Sequence, residues 1–343
     1  MDLELLEQTL AERQEPAFRA KQIWQWLARG AESWEQMTNL SATLRESLAE
    51  QLPISCLAPL QEAHSRDGTA KALFHTADER PVEAVSMRYR DGRHSLCLSS
   101  QSGCPLTCTF CATGAMRFGR NLTVSEIVDQ ALHFKRRRGP EITNVVFMGM
   151  GEPMLNVENV LEACKRLRDV GISPRHVTVS TVGWIPGIER LTEQELPLRL
   201  ALSLHAADEA LRSELMPVND RYPLSDVIEA CKAFYARRKR MVFVEYVMLA
   251  GVNDRYEQAL SLAKLLASAR GERGKTIFKV NLIPWNPAET DAGYRGSSRE
   301  SIAAFKAVLE AHEIPVTVRL TRGRDIDAAC GQLAAKSLEE SID

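Results

Sequence analysis

The chain of 343 residues contains no long apolar run. Stretches such as Val145-Val146-Phe147-Met148 fall far short of the roughly 20 residues a membrane-spanning helix needs. It also lacks net charge, since 43 Lys and Arg against 45 Asp and Glu leave −2. A polyanionic partner must therefore be met by local patches rather than by a global field. Low-complexity segments and internal repeats are absent too. The opening Met1-Asp2-Leu3-Glu4-Leu5-Leu6-Glu7 is acidic and has no basic n-region, so a secretory leader and a membrane partner are not expected and the expected location is cytoplasmic. What remains is ordinary globular composition, 45% hydrophobic and 26% charged. The length suits one large α/β domain with an appendage, or two domains. In a reducing compartment the eight cysteines point to metal binding or catalysis rather than to a disulfide framework.

Residues 1–70 read as a helical accessory domain. Phe18, Ile23, Trp26 and Leu27 form one helical stripe, and Leu40, Leu44 and Leu48 form a second, with Ser41 placed to cap it. Trp24, Trp26 and Trp34 are expected in its core. Residues 71–92 read as a β extension built from Ala70–His75 and Val82–Tyr89. From residue 93 to 343, strand-like segments (Ser95–Ser99, Asn144–Met148, His176–Ser180, Arg199–Leu204, Val242–Met248, Ile277–Ile283 and Val316–Leu320) alternate with amphipathic ones such as Thr123–Arg138 and Val157–Val170. Repeated βα units predict an α/β fold: a parallel sheet covered by helices, with chemistry on the loops that leave the strands.

Directly after the first of these strands stands Ser102-Gly103-Cys104-Pro105-Leu106-Thr107-Cys108-Thr109-Phe110-Cys111. Three thiolates in C-x3-C-x2-C spacing can converge on one metal site, because a loop of this length can wrap around a cluster. A four-iron cluster held by three cysteines leaves one iron open to chelate the amino and carboxylate groups of S-adenosylmethionine (SAM). The competing reading is a structural zinc site, with His94 or Cys97 recruited as the fourth ligand.

With these residues in view, the chain resembles the RlmN/Cfr family of radical-SAM RNA methyltransferases. The likeness runs from about Glu15 to Leu333. It rests on Leu96-Cys97-Leu98-Ser99-Ser100-Gln101 leading into the cluster motif; Phe147-Met148-Gly149-Met150-Gly151-Glu152-Pro153; Ser203-Leu204-His205; Asn281-Leu282-Ile283-Pro284-Trp285-Asn286-Pro287; and Asp325-Ile326-Asp327-Ala328-Ala329-Cys330-Gly331-Gln332-Leu333. The resemblance implies a partial (βα)6 TIM-like barrel with a helical N-terminal domain. It implies a 4Fe-4S cluster on Cys104, Cys108 and Cys111, and SAM contacts from Gly151, Glu152, Ser180, Ser203, Leu204, His205 and Asn286.

Cys330 matches the cysteine that carries a methyl group, and Cys97 the one that releases the product through a transient disulfide. Glu83 matches the proposed proton acceptor, although the stretch from Glu83 to Cys97 runs one residue long. The implied activity is methylation of carbon 2 of an adenosine in 23S rRNA, extending to tRNA, with two SAM per turnover. The protein would act as a monomer and draw electrons from a donor such as flavodoxin or ferredoxin. The alternatives are a Cfr-type carbon-8 methyltransferase that confers antibiotic resistance, and a radical-SAM protein activase.

Taken as bare residues, Cys97 and Cys330 equally read as inert thiols. Cys164 and Cys231 sit on apolar helical stripes and read as core. For RNA contact the candidates are Lys135-Arg136-Arg137-Arg138, Arg237-Arg238-Lys239-Arg240, and Arg319, Arg322 and Arg324; basic runs at helix ends also serve the helix dipole. The family usually carries an acidic residue where this chain has Arg324.

Overall fold

The computed structural model describes residues 1–137, 141–271, 274–287 and 293–335. Three helices open the chain: α1 (Leu3–Glu12), α2 (Phe18–Ala28) and α3 (Ala42–Ala49). Asp2 caps α1 through the amides of Glu4 and Leu5, and Ser41 caps α3 through that of Leu44, as its position predicts. Leu6, Ile23, Leu27 and Leu48 are fully buried between them. Trp24 and Trp34 are core residues, and each indole N–H finds a partner, at Asp169 (2.8 Å) and the Leu52 carbonyl (3.0 Å). Phe18, counted in the first apolar stripe, is instead exposed at the start of α2.

The helical run ends sooner than expected, because β1 (Ala58–His64) lies within residues 1–70 and pairs antiparallel with β2 (Ala70–His75). Its sequence has no β-branched residue, and Pro59 at a bulge is tolerated because β1 is an edge strand. β3 (Pro81–Arg88) and β4 (His94–Cys97) continue the antiparallel extension. After β4 come the short pair β5 (Gln101–Ser102) and β6 (Arg120–Asn121), with α4 (Ala112–Ala115) between them.

The rest is a run of βα units: α5 (Val124–Arg136), β7 (Asn144–Phe147), α6 (Val157–Asp169), β8 (Val177–Thr181), α7 (Ile185–Glu193), β9 (Arg199–Ser203), α8 (Glu209–Leu215), α9 (Leu224–Arg238), β10 (Val242–Met248), α10 (Tyr256–Ala267), β11 (Phe278–Pro284), α11 (Arg299–Ala311) and β12 (Val316–Val318). Thr123 and Glu126 form a reciprocal capping box at the start of α5. One sheet joins all strands but the short pair, in the order β1-β2-β3-β4-β7-β8-β9-β10-β11-β12, and every pairing from β4 to β12 is parallel. This is the expected partial barrel, six βα units followed by a closing strand.

The two faces of this sheet differ. Outward-facing Val145, Val179, Leu202, Val244 and Val280 are fully buried in the main apolar core beneath the helices. Their neighbours one residue away point into the barrel, where Thr178, Arg199, Lys279, Asn281 and Thr317 line a cavity of about 530 Å³. A closed TIM barrel fills that interior with branched apolar side chains. Here the interior is open, and these polar and charged side chains share it with Val146, Met148, Phe243 and Ile283.

Candidate active site

The loop from β4 to α4 carries the three clustered cysteines. Gly103 sits at φ +70°, and a Cβ there would meet the Arg117 carbonyl oxygen at 2.5 Å, so the chain passes itself too closely for any side chain. Burial raises the pKa of each thiol: Cys104 is pushed up to about 12, and Cys108 and Cys111 are raised as well. Cys111 adds to the shift of Cys104, Cys104 and Cys111 add to that of Cys108, and Cys330 adds to that of Cys111. Such thiols stay protonated unless a cation replaces the protons, and the donor set is suited to a metal centre that supplies that charge. His94 is no fourth ligand; it lies at the start of β4, hydrogen bonded to Ser86 Oγ at 2.8 Å.

The phenyl ring of Phe110, just before Cys111, stacks edge-on against His205 at 4.7 Å between centroids. His205 is the centre of a γ-turn: its φ is +58°, and the Ala206 amide donates to the Leu204 carbonyl at 2.7 Å. Such strain survives only where surroundings enforce it. Its Nδ1 accepts from the Val247 amide (3.0 Å), and its carbonyl accepts from Asn253 Nδ2 (2.9 Å). Burial, aided by Arg212, pushes its pKa down to about 3, so the ring is neutral. Leu204 is fully buried.

At the neighbouring strand ends, Ser180 and Ser203 face each other with hydroxyls 3.4 Å apart. Gly151, at φ +94°, lies against Gln101, whose Cβ would be 2.4 Å from an added Cβ. Glu152 is buried and its carboxylate is committed to the backbone, accepting from Met154 N and Val182 N at 3.0 Å each. Burial nevertheless pushes its pKa up to about 7. Asn286 donates to the Cys330 carbonyl at 3.2 Å, while its own Oδ1 and the neighbouring Trp285 Nε1 are buried without partners. Orphaned acceptor and donor atoms of this kind call for a polar ligand.

Cys97 and Cys330 line the same cavity from opposite ends of the sequence. Cys97 ends β4 and is buried, its pKa pushed up to about 12 by burial and by Cys330 beside it. Cys330 is exposed, and no cysteine is disulfide-bonded. Its loop is pinned to the cluster loop: Ala112 N donates to the Gly331 carbonyl (2.9 Å) and Thr113 Oγ1 to the Leu333 carbonyl (2.6 Å).

Arg319 joins the two halves. It donates to Glu245 Oε1 (3.2 Å) and Met148 Sδ (3.5 Å), with Nη1 3.9 Å from Cys330 Sγ. Burial alone would disfavour its charge, but Glu245, Cys330, Tyr89 and Cys97 outweigh it and raise its pKa. The sequence offered Arg319 as an RNA contact; the structure gives it the neighbourhood of the two cysteines. Arg322, another RNA candidate, is engaged with Asp67 and lies over the Tyr89 ring at 4.8 Å. Arg324, in a short 3-10 turn, is exposed.

Glu83 lies outside the cavity lining. Its fully buried carboxylate meets Lys71 Nζ at 2.9 Å and accepts from the Ala335 amide at 3.0 Å. The first basic run also has structural work: Arg136 reaches the Ala31 and Ile54 carbonyls and Arg137 pairs with Glu62, whereas Arg138 lies outside the described residues. Cys164 and Cys231 are core residues, as expected.

Residues 98–263 match the family model "Radical SAM superfamily", and residues 1–54 match "Ribosomal RNA large subunit methyltransferase N-terminal domain". The chain is 46% identical over 326 residues to a probable dual-specificity RNA methyltransferase RlmN of Thermus thermophilus, covering 93% of this chain and 89% of that one. It is 44% identical over 348 residues to the dual-specificity RNA methyltransferase RlmN of an Anaeromyxobacter species, covering 98% and 90%. A crystal structure of a radical SAM methyltransferase from Sphaerobacter thermophilus superposes with a TM-score of 0.90 at 43% identity, over 98% of each chain.

Proposed function

Since the chain belongs to the RlmN family of radical-SAM RNA methyltransferases, we propose that it methylates carbon 2 of an adenosine in 23S rRNA and in tRNA through Cys330. The observation that carries this reading is Cys97 and Cys330 sharing one cavity beside a three-cysteine loop. Cys104, Cys108 and Cys111 would hold a 4Fe-4S cluster, consistent with three half-buried thiols of raised pKa that need a cationic centre to ionise. When bound, the cluster supplies an electron that cleaves SAM to a carbon radical. The Gly151 loop, Ser180, Ser203, the His205 turn and Asn286 would bind SAM; the unpartnered Asn286 Oδ1 supports this.

Adenine carbon 2 offers no lone pair for simple displacement on SAM, so the methyl group must travel by another route. Exposed Cys330 is placed to take it as a thioether. Arg319 Nη1 stands 3.9 Å from its sulfur, so a guanidinium borders the atom that would take the methyl group. The SAM-derived radical would take a hydrogen atom from that methyl, and the methylene left on Cys330 would bond to carbon 2; the adduct would then give up one electron and the carbon-2 proton. Attack by Cys97, shielded from solvent, on the Cys330 sulfur would break the sulfur–carbon bond, free the base with its new methyl protonated, and leave a Cys97–Cys330 disulfide, which then needs external reduction. Such short-lived disulfides suit a reducing, cytoplasmic setting. Among the described residues no helix is long and apolar enough to cross a membrane. A small one-electron carrier such as flavodoxin or ferredoxin would reduce the cluster, and the enzyme would act as a monomer.

The test is an anaerobic assay of the reconstituted enzyme with ribosomal RNA and labelled SAM, followed by nucleoside analysis. 2-Methyladenosine is expected, and 8-methyladenosine as the main product would overturn the carbon-2 assignment. Cys97→Ala should trap a covalent RNA–protein adduct on a denaturing gel.

A further inference from the structure

The cavity that holds Cys97 and Cys330 does not end at the cofactor loops. It continues down the barrel to the opposite rim, where Asn144, Arg199, Phe243, Lys279 and Thr317 are first or second residues of β7, β9, β10, β11 and β12. Among the described residues no Asp or Glu is in its lining, and the buried Glu245 just behind it is engaged by Asn281 (2.8 Å) and Arg319 (3.2 Å).

That rim is cationic. Arg199 lies over the Phe243 ring, its guanidinium 5.8 Å from the ring centroid. Arg240 donates to the carbonyls of Pro197 and Arg175 (3.2 Å to the latter), and Arg238 to those of Glu195 (3.0 Å) and Leu196 (2.6 Å). Among the described residues none of Arg175, Arg199, Arg238, Arg240 and Lys279 has a carboxylate within 4.0 Å. The pKa of Arg240 is lowered by burial and then by Arg199, Arg175 and Arg238, the mark of like charges crowded together. Uncompensated repulsion of this kind is destabilising in the free protein and is relieved by a polyanion.

We propose that the RNA substrate enters the barrel from the N-terminal strand ends, with Arg175, Arg199, Arg240 and Lys279 binding phosphates that flank the target nucleotide. This rests on the reading of the chain as an RNA methyltransferase. A base must leave its stack to reach Cys330, and an unstacked nucleotide on a single strand fits a polar shaft better than a duplex does. The phosphates then stay at the rim while the base passes inward, between Asn281 and Thr178, towards the cysteines. The cofactors would occupy the strands' C-terminal ends, so radical source and RNA approach from opposite sides.

The experiment compares wild-type holoenzyme with the Arg199→Gln/Lys279→Gln double variant under anaerobic conditions, using an RNA hairpin that contains the target adenosine. Binding is followed by fluorescence anisotropy across a salt series. Each lost phosphate contact flattens the log–log salt dependence by about 0.7 for single strands, so the double variant should lose about 1.4. SAM affinity should be unchanged, which shows that the fold and cofactor site survive. A matched control, Lys165→Gln/Lys306→Gln on the outer helices, should keep the wild-type slope. An unaltered slope in the rim variant, or an equal loss in the control, overturns the portal. A wild-type enzyme that neither binds nor methylates the hairpin removes the underlying reading, and the portal falls with it.

Discussion

Replacing Lys71 with Met isolates the contribution of the pair beneath the catalytic loop. The Glu83 side chain is 0% exposed and that of Lys71 11%, with 2.9 Å between their charged atoms. Lys71 Nζ also lies 3.3 Å from the Asp327 carbonyl, and Glu83 accepts from the Ala335 amide, so the pair ties β2 and β3 to both sides of Cys330. Removing one partner of a buried pair costs about 3–5 kcal/mol, because the other charge is left desolvated. The surviving Ala335 N–H and the slight exposure of Lys71 favour the lower end, about 3 kcal/mol. Replacing both residues, as Lys71→Met/Glu83→Met, removes the uncompensated charge and should restore most of that loss.

Anaerobic denaturant titration followed by circular dichroism measures both variants. A single-variant loss below about 1 kcal/mol would show that the pair is solvated like a surface salt bridge and would refute the reasoning. Methylation by the double variant tests Glu83 itself. If Glu83 is the proton acceptor, stability returns and turnover does not. If the ties to Asp327 and Ala335 hold Cys330 in place, turnover is lost in the same way, and Glu83→Gln, which keeps an acceptor for the Ala335 amide, separates the two roles; if neither role holds, stability and turnover return together.

Gly151→Ala should weaken SAM binding and stability together, by about 1–2 kcal/mol for the left-handed backbone and about 1–3 kcal/mol for the collision with Gln101; equilibrium dialysis with labelled SAM and thermal unfolding check this. Glu152 gives a pH signature. Its pKa rises from 4.5 to about 7 on folding, so the folded state holds its proton more tightly. The resulting stability is present below about pH 4.5 and is lost as pH rises through 7. Glu152→Gln should flatten that decline, and a variant that keeps the wild-type slope would contradict the assignment.

The sequence made the cluster loop legible because its chemistry is local: three cysteines, a glycine and an aromatic fall within ten residues. It also made the parallel strands legible, since outward valines and leucines mark each one. Strand β1 escaped notice because Leu60-Gln61-Glu62-Ala63 carries no β-branched signal and depends on pairing with β2. The Glu83–Lys71 pair is visible only through the register that sets β2 beside β3. The cationic rim is harder still to read. Its members come singly from separate strand starts, whereas the conspicuous run at 135–137 turned out to anchor the helical region to the barrel. Arg238 and Arg240 lie in the second run, but their role depends on Arg175 and Arg199, which only folding brings near.

The two faces of the barrel strands have a consequence for how such an enzyme can change. Stability resides in the outer layer, where Val145, Val179, Val244 and their neighbours are sealed under helices. The inner positions Thr178 and Lys279 border the cavity and support little of the apolar core. Mutation there meets weak folding constraints, so the nucleic acid accepted by the shaft can drift, and the methylated position with it, while the scaffold and its radical source stay fixed. Alternating side chains along one strand thus separate what the fold must conserve from what selection is free to rewrite.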